Sequence, residues 1–166
     1  MPKVELERDA HELYAVTSYT CLLGLLSYLS YIPLFVVIGA ENIAVVNVGV
    51  VICFAVAIYL VRSGRIFHGM ATASTLVAIH AWITVLTVGG DAAFQLHVLL
   101  ALQLGLLFTY VKTSVRVAYG LLFMAAYLGL VAVAEVLPPA MRLDPDWELA
   151  LRVSNSAIFV GVTIAI

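Results

Sequence analysis

Six stretches of apolar residues follow one another along the chain, separated by short polar segments. A transmembrane helix needs about 20 mostly apolar residues to cross a hydrocarbon core about 30 Å thick. Runs of this length, with the charges confined to the gaps, predict helices that cross a membrane rather than buried helices of a soluble protein. The predicted spans are residues 14–39, 43–61, 66–88, 92–111, 115–137 and 149–166.

Short segments rich in glycine, proline and charge separate these predicted helices. A Gly-Gly-Asp turn at 89–91 joins the third and fourth, and the proline pair at 138–139 ends the fifth, because proline lacks the amide proton and clashes with the preceding turn. Since the connections are short, we expect consecutive helices to be antiparallel neighbours. The predicted fold is all-α, an integral membrane bundle of six transmembrane helices over residues 14–166, after a polar segment over residues 1–13.

The composition leaves little material for a soluble domain. Hydrophobic residues make up 64% of the chain and charged residues 11%, against about 25% charged in ordinary soluble domains. Residues 1–13 lack the basic region and cleavage site of a signal peptide, so we expect the first helix to be retained. The last apolar stretch reaches Ile166. We therefore expect the function to reside in the bundle or in something attached beyond it.

The lysines and arginines of the predicted loops are unevenly distributed between the two membrane sides. Positively charged residues in short loops favour the cytoplasmic side. One side collects Lys3, Arg8, Arg62, Arg65, Lys112 and Arg116, and the other has Arg142 and Arg152. The N-terminus is therefore predicted to be cytoplasmic, and six spans return the C-terminus to the same side. The acidic residues lie mainly on the predicted outer side. They either form a surface that attracts cations or are ordinary hydrated residues of the loops: Glu41, Asp91, Glu135, Asp144, Asp146 and Glu148.

No familiar catalytic pattern occurs in the chain. There is no CxxC, GxGxxG, P-loop or nucleophile elbow, and no basic patch that would indicate nucleic acid as a partner. Cys21 and Cys53 lie at similar depth, and we interpret both as small core residues rather than a disulfide, which belongs to oxidising compartments. Several tyrosines, Tyr28 and Tyr31 among them, are expected to be partly interfacial anchors of the aromatic belt.

Two histidines within the predicted spans are the strongest candidates for chemistry. Ionisable groups in a membrane usually face the bundle interior, because burying them in lipid is costly. On a helix His80 shares a face with Gly69 and Ala73, and small residues allow helices to approach closely, so this face is predicted to point inward. At 1.5 Å per residue, His97 lies about 9 Å below Asp91 and His80 about 12 Å below the end of the third helix. The two imidazoles should therefore lie at similar depth.

The sequence places these histidines in a predicted outer layer: His80, His97, Asp91, Glu135 and Glu41. Three interpretations of this layer remain open. The first is interhelical hydrogen bonding that fixes the packing. The second is a small-molecule or cation site that opens outward, with His97 and Asp91 as candidate ligands of a divalent metal such as zinc. The third is a haem held by both histidines, which requires more than the usual 8–10 Å between the axes of the third and fourth helices.

Four short motifs occur in order along the chain: VVNV at 45–48, GDAAFQ at 90–95, EVLPP at 135–139 and LDPDW at 143–147. Together they resemble the six-helix membrane anchor of bacterial class III adenylate cyclases of the mycobacterial type. The resemblance covers roughly residues 40–166 and is weaker over the first helix.

The resemblance implies a function in signalling at the bacterial inner membrane. In that family a helix after the sixth span leads into a homodimeric cytoplasmic domain, which converts ATP to cyclic AMP and pyrophosphate with two metal ions, Mg or Mn. Nothing in this chain matches the metal-binding aspartates of that domain, so this segment corresponds to the anchor and receptor part. The alternatives are a haem- or metal-binding cytochrome-like sensor, the sensor domain of a diguanylate cyclase or histidine kinase, and a small transporter.

Overall fold

The computed structural model describes residues 3–107 and 111–165, and the side chains of residues 11–107 and 111–164 among them. Over these residues the chain is entirely helical, with six α-helices and one short 3-10 helix and no strand. The helices are α1 (Lys3–Ile38), α2 (Glu41–Arg62), α3 (Ile66–Val88), the 3-10 helix Gly90–Ala92, α4 (Leu96–Leu106), α5 (Thr113–Val136) and α6 (Pro145–Ala165). The predicted all-α class is therefore confirmed.

Four of these helices are long and apolar enough to cross a membrane: His11–Ile38, Glu41–Arg62, Ile66–Val88 and Thr113–Val136. α4 is a shorter apolar helix of 11 residues, about 17 Å long at 1.5 Å per residue. α6 has 21 residues and carries acidic residues in its first turn. By length and composition, therefore, four of the described helices could cross a membrane.

The fourth helix differs from the single helix that the sequence predicts over residues 92–111. The chain forms the 3-10 helix Gly90–Ala92, reverses direction at Ala93, whose φ of 62° is left-handed, and starts α4 only at Leu96. Left-handed backbone is uncommon outside glycine. The break escaped prediction because its residues are apolar and buried: Ala92, Ala93 and Phe94 belong to the core, so the hydrophobic pattern continues through it.

The first and last helices also begin earlier than their predicted spans. α1 starts at Lys3, so residues 3–13 of the polar segment continue directly into the first apolar helix. α6 starts at Pro145, four residues before the predicted span, because proline suits the first position of a helix. The Asp144 carboxylate accepts the Asp146 amide proton at 3.0 Å and stabilises this end.

Small residues set the packing of the first three helices. α1 packs along α2, and α2 along α3. A Cβ atom on Gly69 would lie 2.6 Å from Val61 Cγ2 and 2.7 Å from the Ala57 carbonyl oxygen, so α2 and α3 touch backbone to backbone there. Because Gly69, Ala73 and His80 are all buried, the predicted inward face of the third helix is confirmed.

Candidate functional site

His80 and His97 meet in the centre of the bundle, where α1, α3 and α4 converge. Their exposed fractions are 0% and 4%. The ring of Tyr28, on α1, packs against both, with its centroid 4.7 Å from that of His80 and 6.2 Å from that of His97, nearly perpendicular to both. Phe94 closes the group, 5.9 Å and 5.7 Å from the same two rings. We call these four residues the histidine cluster.

The His80 imidazole hydrogen-bonds within its own helix. The hydroxyl of Thr84, one turn further along α3, lies 3.2 Å from Nε2 of His80. Thr84 is itself buried. This bond satisfies a polar group that would otherwise be costly in an apolar interior. His80 therefore has a local partner that its neighbouring sequence already supplies.

The His97 imidazole has one partner and one free nitrogen. The Tyr28 hydroxyl lies 3.4 Å from His97 Nδ1, a long hydrogen bond between α1 and α4. An imidazole nitrogen without a proton accepts from a phenol, whereas a protonated one donates to it. We interpret the contact as Tyr28 donating to Nδ1, which is the tautomer that carries the ring proton on Nε2. Nε2 is buried and has no hydrogen-bond partner among the described residues. His97 thus presents an unused donor inside the bundle.

The predicted carboxylates lie apart from this cluster. Glu41, Asp91 and Glu135 are exposed, and 79% of the Asp91 side chain is accessible. Asp91 lies instead 3.8 Å from the Arg152 guanidinium. Each carboxylate stands at or near a helix end, where it stays hydrated, whereas the apolar interior offers no counter-charge. The structure therefore brings the two histidines together but does not bring the acids to them, and an outer cation layer stays a prediction.

The residues do not fit the metal site considered for His97 and Asp91. Zinc is held by at least three protein ligands. Across residues 3–107 and 111–165, no group of three or more His, Cys, Asp or Glu side chains could hold a metal ion. The buried imidazole and the exposed carboxylate do not converge on one point.

A haem between the two imidazoles does not fit either. A porphyrin needs an open slot between its two axial ligands, and here the Tyr28 and Phe94 rings contact both histidines. The neighbouring cavity, which His97 also lines, has a volume of about 80 Å³. Ligand pockets for larger organic molecules measure roughly 300–1,000 Å³. In this arrangement both histidines pack against Tyr28 and Phe94, and their ring nitrogens contact the hydroxyls of Thr84 and Tyr28.

A second polar group, which sequence reasoning missed, ties α6 to the rest of the bundle. The Tyr31 hydroxyl donates to Asn155 Oδ1 at 2.6 Å, and Asn155 Nδ2 donates to the Ala92 carbonyl at 2.6 Å. Arg152 Nε donates to the Asp91 carbonyl at 2.8 Å. Tyr31 is buried, so it is not the interfacial anchor that the sequence predicts. We call these contacts the α6 tether. The sequence did contain one indication of this contact, because Asn155 is an amide side chain within the last predicted span.

The α6 tether has a buried part at Asn155 and an exposed part at Arg152. Asn155 has an exposed fraction of 0%, and both ends of its amide are satisfied. It joins three separate parts of the chain: α1, the 3-10 helix and α6. Arg152 adds a hydrogen bond to Glu148 Oε1 at 2.9 Å, which braces the first turns of α6.

Comparisons with models of known protein families, with curated proteins and with solved structures gave no match.

Proposed function

We propose that this chain is the membrane anchor and receptor domain of a class III adenylate cyclase. In this proposal six helices span the bacterial inner membrane with both termini in the cytoplasm, and two copies associate as a homodimer. A catalytic domain outside these 166 residues would make cyclic AMP from ATP with Mg or Mn. The segment itself would hold the enzyme at the membrane and regulate it.

The α6 tether is the observation that supports a regulatory role. α6 is the helix that would lead into the catalytic domain, and its Asn155 and Arg152 bond to the carbonyls of Ala92 and Asp91. Both carbonyls belong to the GDAAFQ motif at 90–95 that supports the resemblance. Any rearrangement of this motif would therefore move the helix that leads to the enzyme.

The histidine cluster lies beside the same motif. Phe94 belongs to both the motif and the cluster, and Tyr31 of the α6 tether packs on Phe94 with ring centroids 5.8 Å apart. A ligand shifts the balance between two helix arrangements only if it binds one of them better. A ligand that touched the cluster would change the same packing that positions α6.

Six spans require α4 and α6 to cross the membrane in addition to the four long apolar helices. α4 is short, but most of its residues face protein rather than lipid, and irregular backbone at membrane depth is tolerated where protein buries it. The acidic first turn of α6 would lie at the outer interface, where Arg152 extends to the exposed Asp91. These features support six crossings and outer placement of residues 90–92.

The test is a fusion of residues 1–166 to a class III catalytic domain, assayed for cyclic AMP synthesis in bacterial membranes. Asn155→Leu should change the specific activity several-fold, because it releases α6 from the 90–92 segment. Val153→Ala, at an exposed position two residues away on α6, is the matched control and should leave activity unchanged. Equal activity for the native fusion, Asn155→Leu and a fusion to an unrelated dimeric helix bundle would refute the regulatory role.

A further inference from the structure

A cavity of about 80 Å³ lies next to the histidine cluster, and both Tyr28 and His97 line it. The rest of its lining comes from α1, α2, α3, α4 and α6. Most of the lining is apolar or small, with Gly24, Ala73, Ala101 and Leu104 as examples. Among the described residues that line it, none is Asp, Glu, Lys or Arg.

Two buried polar groups in the cavity wall have no partner. His97 Nε2 and Ser74 Oγ make no hydrogen bond among the described residues. The two residues have exposed fractions of 4% and 2%, and both line the cavity. Native proteins satisfy nearly all buried polar groups with protein, water or a ligand. In the tautomer in which Tyr28 donates to Nδ1, His97 Nε2 has a proton to donate, and the serine hydroxyl either donates or accepts.

Residues of both α1 and α6 line the cavity, although these two helices pack mainly on other helices. α6 packs on α4 and the 3-10 helix, while α1 packs along α2 and α3. The hydrogen bond between Tyr31 and Asn155 joins α1 to α6 at one height in the bundle. Beyond that level Leu23 of α1, with an exposed fraction of 49%, and Ile158 of α6 form part of the lining. In a membrane, this part of the lining would face the acyl chains rather than water.

We infer that this cavity binds a neutral lipophilic molecule with a carbonyl oxygen, which enters from the bilayer between α1 and α6. The carbonyl accepts the His97 Nε2 proton, and the Ser74 hydroxyl donates the second hydrogen bond. The alkyl part lies against Gly24 and Leu104 and leaves beside Leu23. An apolar cavity of about 150 Å³ accommodates benzene, so about 80 Å³ suits a carbonyl group with a few carbons and not a ring system.

The charge and polarity of the cavity lining favour a neutral lipophilic carbonyl compound over other classes of ligand. A fatty-acid carboxylate would lose its hydration against a wall that holds no cationic side chain. A pure hydrocarbon would leave both His97 and Ser74 unpaired, which costs the complex free energy. A water-soluble polar molecule would have to cross the apolar mouth. A neutral ketone or ester with one alkyl chain satisfies both the polar groups and the apolar walls.

This inference deepens the proposed receptor function by naming its ligand class. Binding can be measured on the chain alone, without any catalytic domain. A failure to bind would leave the anchor and cyclase proposal standing, and an inactive fusion would leave the binding result standing.

The test uses the 166-residue chain in phospholipid nanodiscs, with histidine labelled with ¹⁵N and 2-decanone as the probe. The His97 Nε2 resonance should shift and saturate as 2-decanone is added. The His80 ring, which bonds to Thr84 and does not line the cavity, should shift much less. n-Decane, which has the same chain length without the carbonyl, is the matched probe and should leave His97 nearly unchanged.

Two variants locate the site. Ser74→Ala should weaken 2-decanone binding about threefold to tenfold, the range expected for one hydrogen bond. Ala101→Leu should fill the cavity and abolish the saturable shift, whereas Ala132→Leu, at an exposed position on α5, should not. If Ala101→Leu fails to fold by circular dichroism, Ser74→Ala still decides the matter.

Three results would overturn the inference. An unchanged His97 signal would mean that the cavity takes no such molecule. Equal shifts with n-decane and 2-decanone would exclude the hydrogen bond. A shift that grows without saturation at both His80 and His97 would indicate simple partitioning into the bilayer.

Discussion

Replacing Asn155 tests most directly whether the α6 tether stabilises the helix bundle. Its amide accepts from Tyr31 and donates to the Ala92 carbonyl, both at 2.6 Å, and no part of it is exposed. Leucine has the same branching as asparagine but is larger and has no polar atoms. Asn155→Leu therefore removes the two hydrogen bonds and places methyl groups against their former partners. The substitution leaves a tyrosine hydroxyl and a backbone carbonyl without their partner.

The expected loss of stability depends on whether each group that loses its partner can form another hydrogen bond. Tyr31 also lies 3.4 Å from Ser154 Oγ, so its hydroxyl can turn to that serine and recover part of its bond. The Ala92 carbonyl is in a buried residue and has no such neighbour in this network. Hydrogen bonds contribute about 0.5–1.5 kcal/mol in proteins and about 0.6 kcal/mol on average between membrane helices. Asn155→Leu should therefore lower the free energy of unfolding by about 1–3 kcal/mol.

The measurement is reversible unfolding in mixed micelles, followed by circular dichroism, together with hydrogen exchange of the α6 amides. Asn155→Leu should speed exchange in α6 more than in α2, because the bonds that fix α6 to the 90–92 segment are lost. Tyr31→Phe should cost less than Asn155→Leu, since it removes one bond of the two. The double variant should cost less than the sum of the singles, because both break the same contact.

A loss of less than about 0.5 kcal/mol, the range of ordinary surface substitutions, would refute this reasoning. Equal effects of Asn155→Leu and the exposed control Val153→Ala would refute it too. Additive single and double variants would show that Tyr31 and Asn155 do not interact as described.

Three further outcomes are expected. Gly69→Ala should lower the free energy of unfolding by about 1–3 kcal/mol, because the added Cβ would overlap the facing helix. Gly49→Ala is the control: a Cβ there has no atom within 4 Å, so the same unfolding assay should show a neutral or slightly stabilising effect. The purified chain mixed with haem should show no Soret band that depends on His80 or His97, and a band lost in either alanine variant would contradict the packed cluster. Tyr28→Phe should raise the fraction of His97 rings protonated at Nδ1, seen by ¹⁵N spectroscopy, because the donor to that nitrogen is gone; an unchanged tautomer ratio would oppose the proton assignment.

Local sequence was enough to predict most helices and the buried face of the third. The third span ran from 66 to 88 in the prediction and runs from Ile66 to Val88 in the structure. Helix formation in an apolar run satisfies its own backbone hydrogen bonds, so a pattern within about 20 residues decides it. The inward position of His80 followed from Ala73 and Gly69, about two and three turns away on the same face.

The fourth helix shows where local pattern fails. Residues 92–94 are apolar, as a helix requires, yet the chain reverses there because these side chains fill the core against other helices. Hydrophobicity gives the same signal for a buried turn as for a buried helix. Local pattern also failed for the site. Asp91 and Glu135 were predicted to join the histidines because they lie at a similar predicted depth in the membrane, but both side chains are exposed.

Tertiary structure alone decided which polar groups meet. Tyr28 and His97 are 69 positions apart, and Asn155 and Ala92 are 63 apart. The rotation and height of each helix within the bundle set these contacts, and the sum of many weak packing interactions across several helices fixes both. The sequence by itself determined long apolar helices and an inward histidine on the third helix, because both depend on residues close together in the chain. Packing determined that Tyr28 would contact both histidines and that Asn155 would tie α6 to α1 and the 90–92 segment.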